Sequence, residues 1–202
     1  TFFVRLWDRG WIYRANRIVN WCPHHQTAIS DLEVVHEEMD DVLTYVRYPF
    51  LGGDGTEGIV VATVRPATIL GDVAVAVHPS DPRYRDAVGR EVVVPYVERA
   101  VPVIADERVD PAFGSGALKI TPGHDPLDFE IGRDHGLPEP MAIGPDGRMS
   151  VEAGDLEGLT QAARERLAHL LTEHKLEPIA KIENWPEAQK LAKGTTGFAV
   201  LG

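Results

Sequence analysis

Gly58-Ile59-Val60-Val61-Ala62-Thr63-Val64-Arg65-Pro66-Ala67-Thr68 passes without a break from an apolar, β-branched run into Arg-Pro. The run has the length and composition of a buried strand, and Gly52-Gly53-Asp54-Gly55 before it is a strong turn signal. Proline then fixes φ and opens a short helix. The same texture extends both ways from this point. Upstream, residues 33–39 and 42–50 read as strands joined by a turn at Asp40-Asp41; downstream, strands are expected at 73–77, 91–94, 101–104 and 117–121. Many short strands at uneven spacing, interrupted by short helices, predict a mixed α/β (α+β) fold. Its expected core is a closed or nearly closed β-barrel of short strands with peripheral helices.

Two helix starts are legible. Asp125-Pro126 sets an acidic N-cap before proline, and that helix is expected to end near Gly136. Leu159-Thr160 opens a second, with Ala163, Leu167, Leu170 and Leu171 on one apolar face. Residues 1–32, with Trp7, Trp11 and Trp21, read as a connector of helical character that packs against the body. Residues 33–182 are expected to hold the barrel and its helices, and 183–202 a tail without identifiable chemistry, all within one domain spanning 1–202.

Composition limits the function classes. A chain of 202 residues, 44% hydrophobic and 25% charged, can bury a real core and shows no low-complexity tract. No apolar run approaches the ~18 residues of a membrane span, so no membrane partner is expected. Thr1-Phe2-Phe3-Val4-Arg5 lacks the pattern of a signal peptide. The single Cys22 excludes an internal disulfide and fits a reducing cytoplasm. With a net charge of −11, the chain should repel a nucleic-acid backbone as a whole. It can still receive one strand end where a few Arg and Lys line a pocket.

Three clusters could carry chemistry. In Thr63-Val64-Arg65-Pro66-Ala67-Thr68, a strand feeding a helix start leaves N–H groups that attract an anion, with Arg65 beside them as a phosphate or ribose clamp. The alternative is a plain strand–helix junction with Arg65 on the surface. In Phe113-Gly114-Ser115-Gly116-Ala117-Leu118-Lys119-Ile120-Thr121, Lys119 and Thr121 alternate onto one strand face, which either lines a pocket or meets solvent. In His124-Asp125-Pro126-Leu127-Asp128, both carboxylates are expected to point into the first helical turn, where capping alone would account for them. Cys22-Pro23-His24-His25 has no second ligand pair, so no metal is expected. No nucleophile elbow, phosphate-binding loop or dinucleotide fingerprint is present, which removes nucleotide hydrolysis and redox chemistry.

The clusters together resemble a known family. Asn20-Trp21-Cys22-Pro23 and Thr27-Ala28-Ile29-Ser30-Asp31-Leu32-Glu33-Val34 resemble the entry to the editing insertion of class I valyl-, isoleucyl- and leucyl-tRNA synthetases. Residues 63–68 are similar to that family's Thr-Thr-Arg-Pro-Glu-Thr motif, from which Val64 and Ala67 depart. Gly71-Asp72, His78-Pro79 and Arg83-Tyr84 continue the match, and residues 114–125 with Asp128-Phe129 are closest to the valyl branch. The resemblance covers residues 7–140 or so. The signatures of the ATP-dependent synthetic site are missing from it.

The resemblance implies a hydrolase that deacylates Thr-tRNA(Val) and can act on threonyl-adenylate, needing no cofactor. Its implied partners are the tRNA 3′ end and the remaining synthetase domains. It implies that Asp128 holds the substrate's α-ammonium, that Lys119 and Thr121 line the side-chain and ester end, and that Asp72 lies nearby. Arg65, with Thr63 and Thr68, would contact the terminal adenosine, Phe113 would stack near its base, and Asp125 is a second acid beside its capping role. Two rivals stand: an isoleucyl-type domain removing valine, and a non-catalytic RNA-end or nucleotide-binding module.

Overall fold

In the computed structural model, residues 1–35, 43–159 and, as backbone, 198–201 are described. The central element is β5 (Ala74–Val77), buried along its whole length. It sits inside a four-stranded sheet with β6 (Glu91–Val93), β7 (Ala100–Ala105) and β8 (Ala117–Ile120), in the order β6-β7-β5-β8. The β5–β7 pair is parallel and the β5–β8 pair antiparallel. Alternation gives β5 two inner faces. Val75 and Val77 look into the main core, while Ala74 and Ala76 face Ile120, Val109 and Ile131.

Ile131 belongs to α2 (Pro126–Asp134), which covers that second face. Burying it whole contributes about 2 kcal/mol to docking the helix. The other face is covered by the hairpin of β3 (Thr44–Pro49) and β4 (Gly58–Thr63), paired from Thr44↔Thr63 to Pro49↔Gly58. Val46, Tyr48, Ile59 and Val61 point from it into the main core. The fold is thus helix, sheet and hairpin in layers. These spans lie within a residue or two of the expected strands and helix.

Four expectations are corrected. Among the described residues the strands do not close into a barrel. The isolated bridge Phe50↔Val92 joins the hairpin to β6, and β4 lies against β8, but no ladder links β4 to β8. Gly114 explains part of that gap, because its loop sits so close to β4 that a Cβ there would come 2.6 Å from the Ala62 Cβ. Second, the connector is only briefly helical. After α1 (Phe2–Asp8) it forms β1 (Arg17–Cys22) and β2 (Thr27–Ala28). Third, Trp7 and Trp11 are 46% and 72% exposed, and only Trp21 docks, its Nε1 donating to the Pro145 carbonyl at 2.7 Å. Fourth, Glu33 ends a 3-10 turn, Asp31–Glu33, capped by Ser30, because the capping box outcompetes extension there. The rest of the strand expected at 33–39, the turn Asp40-Asp41 and the helix after Leu159 fall mostly outside the described residues. Part of the tail, β9 (Phe198–Leu201), pairs antiparallel with β1.

Candidate functional site

The site grows from the end of β8. Lys119 pairs with Val75 across the ladder and therefore shares its inward face. Thr121, two residues on, lies on the same side, and both side chains are buried, so that face lines the interior rather than meeting solvent. Lys119 Nζ donates to Thr121 Oγ1 and to Asp72 Oδ1, the latter at 3.3 Å. The Thr121 hydroxyl in turn donates to Asp72 Oδ1. From the hairpin layer the Tyr48 hydroxyl donates to Asp72 Oδ2. A fully buried carboxylate is thereby held by three donors, two from the end of β8 and one from β3.

Asp72 ends the 3-10 turn Pro66–Gly71 that follows Arg65. Arg99 pins that turn, donating to the Leu70 and Asp72 carbonyls at 3.3 and 3.2 Å while pairing with Glu152. Burial raises the Asp72 carboxyl above the usual range, against the pull of Lys119 and the hydrogen bonds. Burial, then the Asp72 charge, pushes the Tyr48 phenol well above its ordinary value.

The two carboxylates of α2's first turn part company. Asp125 is the N-cap, accepting from the Leu127 and Asp128 N–H groups at 2.8 and 3.1 Å. Asp128 does not turn into that first turn as expected. It is buried, and its Oδ2 accepts the Thr121 N–H at 2.8 Å, which fastens the helix to the end of β8. Burial pushes its pKa up to about 8; Lys119 opposes the shift, and Asp125 and Asp72 add to it. An acid so displaced by its surroundings is what functional sites are built to hold.

Arg65 is half-buried, and its Nη1 donates to the His124 carbonyl at 3.1 Å, tying the end of β4 to the end of β8. Thr63 and Thr68 serve the backbone of Arg65: Thr63 Oγ1 accepts its N–H and the Thr68 hydroxyl donates to its carbonyl, at 3.0 and 2.9 Å. Phe113 is half-buried at the head of the loop that runs along Ala62. The structure thus brings Asp72, Lys119, Thr121 and Asp128 into one hydrogen-bonded group. It sets Arg65 against the adjoining His124 carbonyl, with Thr63 and Thr68 bracing the Arg65 backbone and Asp125 next in the chain. Tyr48 and Arg99 were not read from sequence. Tyr48's only signal is its alternation with Val46, and Arg99 gives none. Cys22 Sγ lies 3.4 Å from His25 Nδ1, and among the described residues no group of three metal-ligating side chains forms.

The loop before β8 is braced from outside the group. Tyr84 donates to the Ser115 carbonyl at 2.7 Å, and Arg83, forked onto Asp81, donates to the Pro111 carbonyl at 2.7 Å. Gly116 has φ +79°, and a Cβ there would fall 2.8 Å from the Pro111 oxygen and 2.2 Å from Arg83 Nη2. The guanidinium can swing away; the carbonyl cannot. Gly116→Ala is expected to lose about 2 kcal/mol, a melting point lower by roughly 4–8 °C in a thermal melt. An unchanged melting point would show that this backbone is free to move.

The family described as tRNA synthetases class I (I, L, M and V) matches residues 1–193. The valine–tRNA ligase of Carboxydothermus hydrogenoformans is 53% identical over 157 residues, 78% of this chain and 18% of its own length. That of Prochlorococcus marinus is 49% identical over 185 residues, 90% of this chain and 20% of its own. The chain therefore spans about a fifth of the curated relatives it matches. A leucyl-tRNA synthetase from Agrobacterium radiobacter K84, solved in a ternary complex with tRNA and LeuAMS, shares the fold. Its TM-score is 0.53 at 21% identity, covering 87% of this chain and 30% of that one. Among the described residues no helix is long and apolar enough to cross a membrane. A match along nearly all of its length, with half-identical relatives among the valine–tRNA ligases, places the chain in the class I tRNA synthetase family.

Proposed function

We propose that this chain is the hydrolytic editing unit of a valyl-type synthetase, releasing threonine from mischarged tRNA(Val). The observation that carries the reading is the buried polar group of Asp72, Lys119, Thr121 and Asp128, on a chain whose relatives are valine–tRNA ligases. Threonine and valine differ by a hydroxyl in place of a methyl. A hydrophobic pocket rejects such an isostere by only about 100-fold, a figure that comes from valyl enzymes facing threonine. A second, polar pocket inverts the test. Valine entering it would leave buried polar groups unpaired, at about 1–3 kcal/mol for each neutral group. The same point disfavours an isoleucyl-type domain that must accept valine.

The roles follow from position. Asp128, as a carboxylate, holds the α-ammonium of the aminoacyl ester. Lys119 and Thr121 line the side-chain and ester end, with Asp72 behind them. Arg65 and the Thr63–Thr68 turn receive the terminal adenosine, Phe113 packs near its base, and Asp125 lies beside the entrance. Water attacks the ester carbonyl, the acyl–oxygen bond breaks, and free threonine and a ribose hydroxyl result. Orientation of the ester supplies much of the rate. Threonyl-adenylate presents the same acyl group and is a second substrate. With a net charge of −11, the chain needs the other synthetase domains to hold the tRNA body. The cytoplasm is the compartment such an enzyme serves.

The test is release of amino acid from threonyl- and valyl-tRNA(Val), by this chain and by the full-length protein that carries it. Threonine is expected to leave and valine to stay, with activity lost in Lys119→Ala and Asp128→Ala. Binding of the tRNA end without turnover, in the full-length protein as well, would replace the hydrolase by a non-catalytic RNA-end module.

A further inference from the structure

We propose that Tyr48 and Asp72 form a positioning clamp that fixes the hydrogen-bond polarity of Lys119 and Thr121, and through them the choice of a hydroxylated side chain. The inference rests on the editing reading above and adds to it Tyr48 and a positioning role for Asp72, neither of which touches substrate.

The argument is a count of donors and acceptors. A carboxylate only accepts, a lysine ammonium only donates, and a threonine hydroxyl donates once and accepts up to twice. Asp72 Oδ1 takes Lys119 Nζ and the Thr121 hydroxyl; Oδ2 takes the Tyr48 hydroxyl, which among the described residues makes no other hydrogen bond. The proton of Thr121 is therefore committed to Asp72, and one of its lone pairs to Lys119. Thr121 has no exposed surface, so what it offers a ligand is the fixed direction of Lys119. Lys119 has spent two of its three protons, on Thr121 and Asp72, and keeps one donor. That donor, on a side chain 8% exposed, matches a lone pair of an alcohol and is left unmet beside a methyl.

The clamp depends on Asp72 keeping its orientation, and that is the part of Tyr48. Its ring is wholly buried within the hairpin side of the core, with Val46, Ile59 and Val61. Tyr48 stands on β3, whereas Lys119 stands on β8 in the opposite layer. Holding Oδ2 from there leaves Oδ1 facing Lys119 and Thr121. Without the phenol, the carboxyl can turn about its last torsion, the Thr121 hydroxyl is free to donate or accept, and the pocket no longer distinguishes the two side chains.

Tyr48→Phe keeps the ring and removes only the hydroxyl. Asp72→Asn keeps the shape but introduces an amide that can donate to Thr121 and so reverse its polarity. In the full-length protein, kcat/KM would be measured for threonine and for valine release, with thermal melts of each variant. Tyr48→Phe is expected to lower the threonine-to-valine ratio about fivefold and Asp72→Asn about fiftyfold, with kcat carrying the loss and the KM for tRNA steady. General damage to the fold would instead depress both substrates together and leave the ratio in place. An active parent whose ratio is unmoved by either substitution overturns the clamp alone. A full-length parent that releases no threonine overturns the editing reading, and the clamp with it.

Discussion

Asp128→Asn is expected to melt at a higher temperature than the parent at pH 8 while losing the release of threonine. The carboxyl is 4% exposed, and burial pushes its pKa up to about 8 in the folded chain. In the unfolded chain an aspartate gives up its proton near ~3.9. The folded state therefore binds the extra proton between these values. The stability this contributes is fully present below about pH 4 and is lost as pH rises through about 8. Asparagine never ionises, and its side-chain oxygen can still accept the Thr121 N–H that Asp128 now accepts at 2.8 Å. At pH 8 the variant should gain on the order of 2–5 kcal/mol, a rise of very roughly 4–20 °C, and at pH 4 the two proteins should converge. Melts at pH 4, 6 and 8 decide it. A variant that melts below the parent at every pH would show that the carboxylate is stabilising where it lies.

The loss of activity follows from the same carboxyl. An α-ammonium needs a charged partner, and truncating one half of a buried pair costs about 2–5 kcal/mol, or roughly 30- to 5,000-fold in kcat/KM. For the parent, kcat/KM should rise with pH as Asp128 ionises towards about 8. It should fall again as the α-ammonium of the substrate, ordinarily near ~7.7–8.0, loses its proton. Whatever activity Asp128→Asn retains should lack the acid limb.

The contrast between Asp125 and Asp128 shows how far local signals reach. Asp125-Pro126 states the start of α2, and the extra oxygen of Asp125 finds donors within its own turn. That is local chemistry and is legible. Asp128 sits three residues on with the same side chain, but its partner is the backbone of Thr121 on another element. Nothing within the helix announces it. The strands were legible for a similar reason, since β-branched runs such as residues 59–61 and 101–104 are short, apolar and bounded by turns. What failed was closure. Whether six short strands complete a ring depends on how β4 meets β8, and there Gly114 and its loop, not a ladder, fill the approach. Lys119 and Thr121 were paired by alternation alone, yet Tyr48 could not be joined to them, because its partner Asp72 lies 24 residues away in another turn. The tryptophans of the connector spoke for packing without saying against what; Trp21 finds Pro145, and Trp7 and Trp11 stay exposed.

Lys119→Met should act on stability in the opposite sense from Asp128→Asn, although both residues belong to one hydrogen-bonded group. Methionine is close to lysine in length and keeps the apolar stem packed beside β5, but it brings neither charge nor donors. Asp72 would then remain fully buried with only Thr121 and Tyr48 to answer its charge. Breaking a buried pair from one side costs about 3–5 kcal/mol, a fall of roughly 6–20 °C for a chain of this size. Lys119 is also the main influence drawing the Asp72 carboxyl down against burial, so its removal favours the protonated acid still more. With the folded pKa further above the unfolded one, the stability tied to the neutral acid is retained at low pH and lost as pH rises. The gap between Lys119→Met and the parent should therefore be wider at pH 8 than at pH 5. Adding Asp72→Asn to Lys119→Met removes the stranded charge and should recover about half of the loss at pH 8, while threonine release stays absent. A double variant no more stable than the single one would mean that Lys119 matters here for its packing and not for its charge.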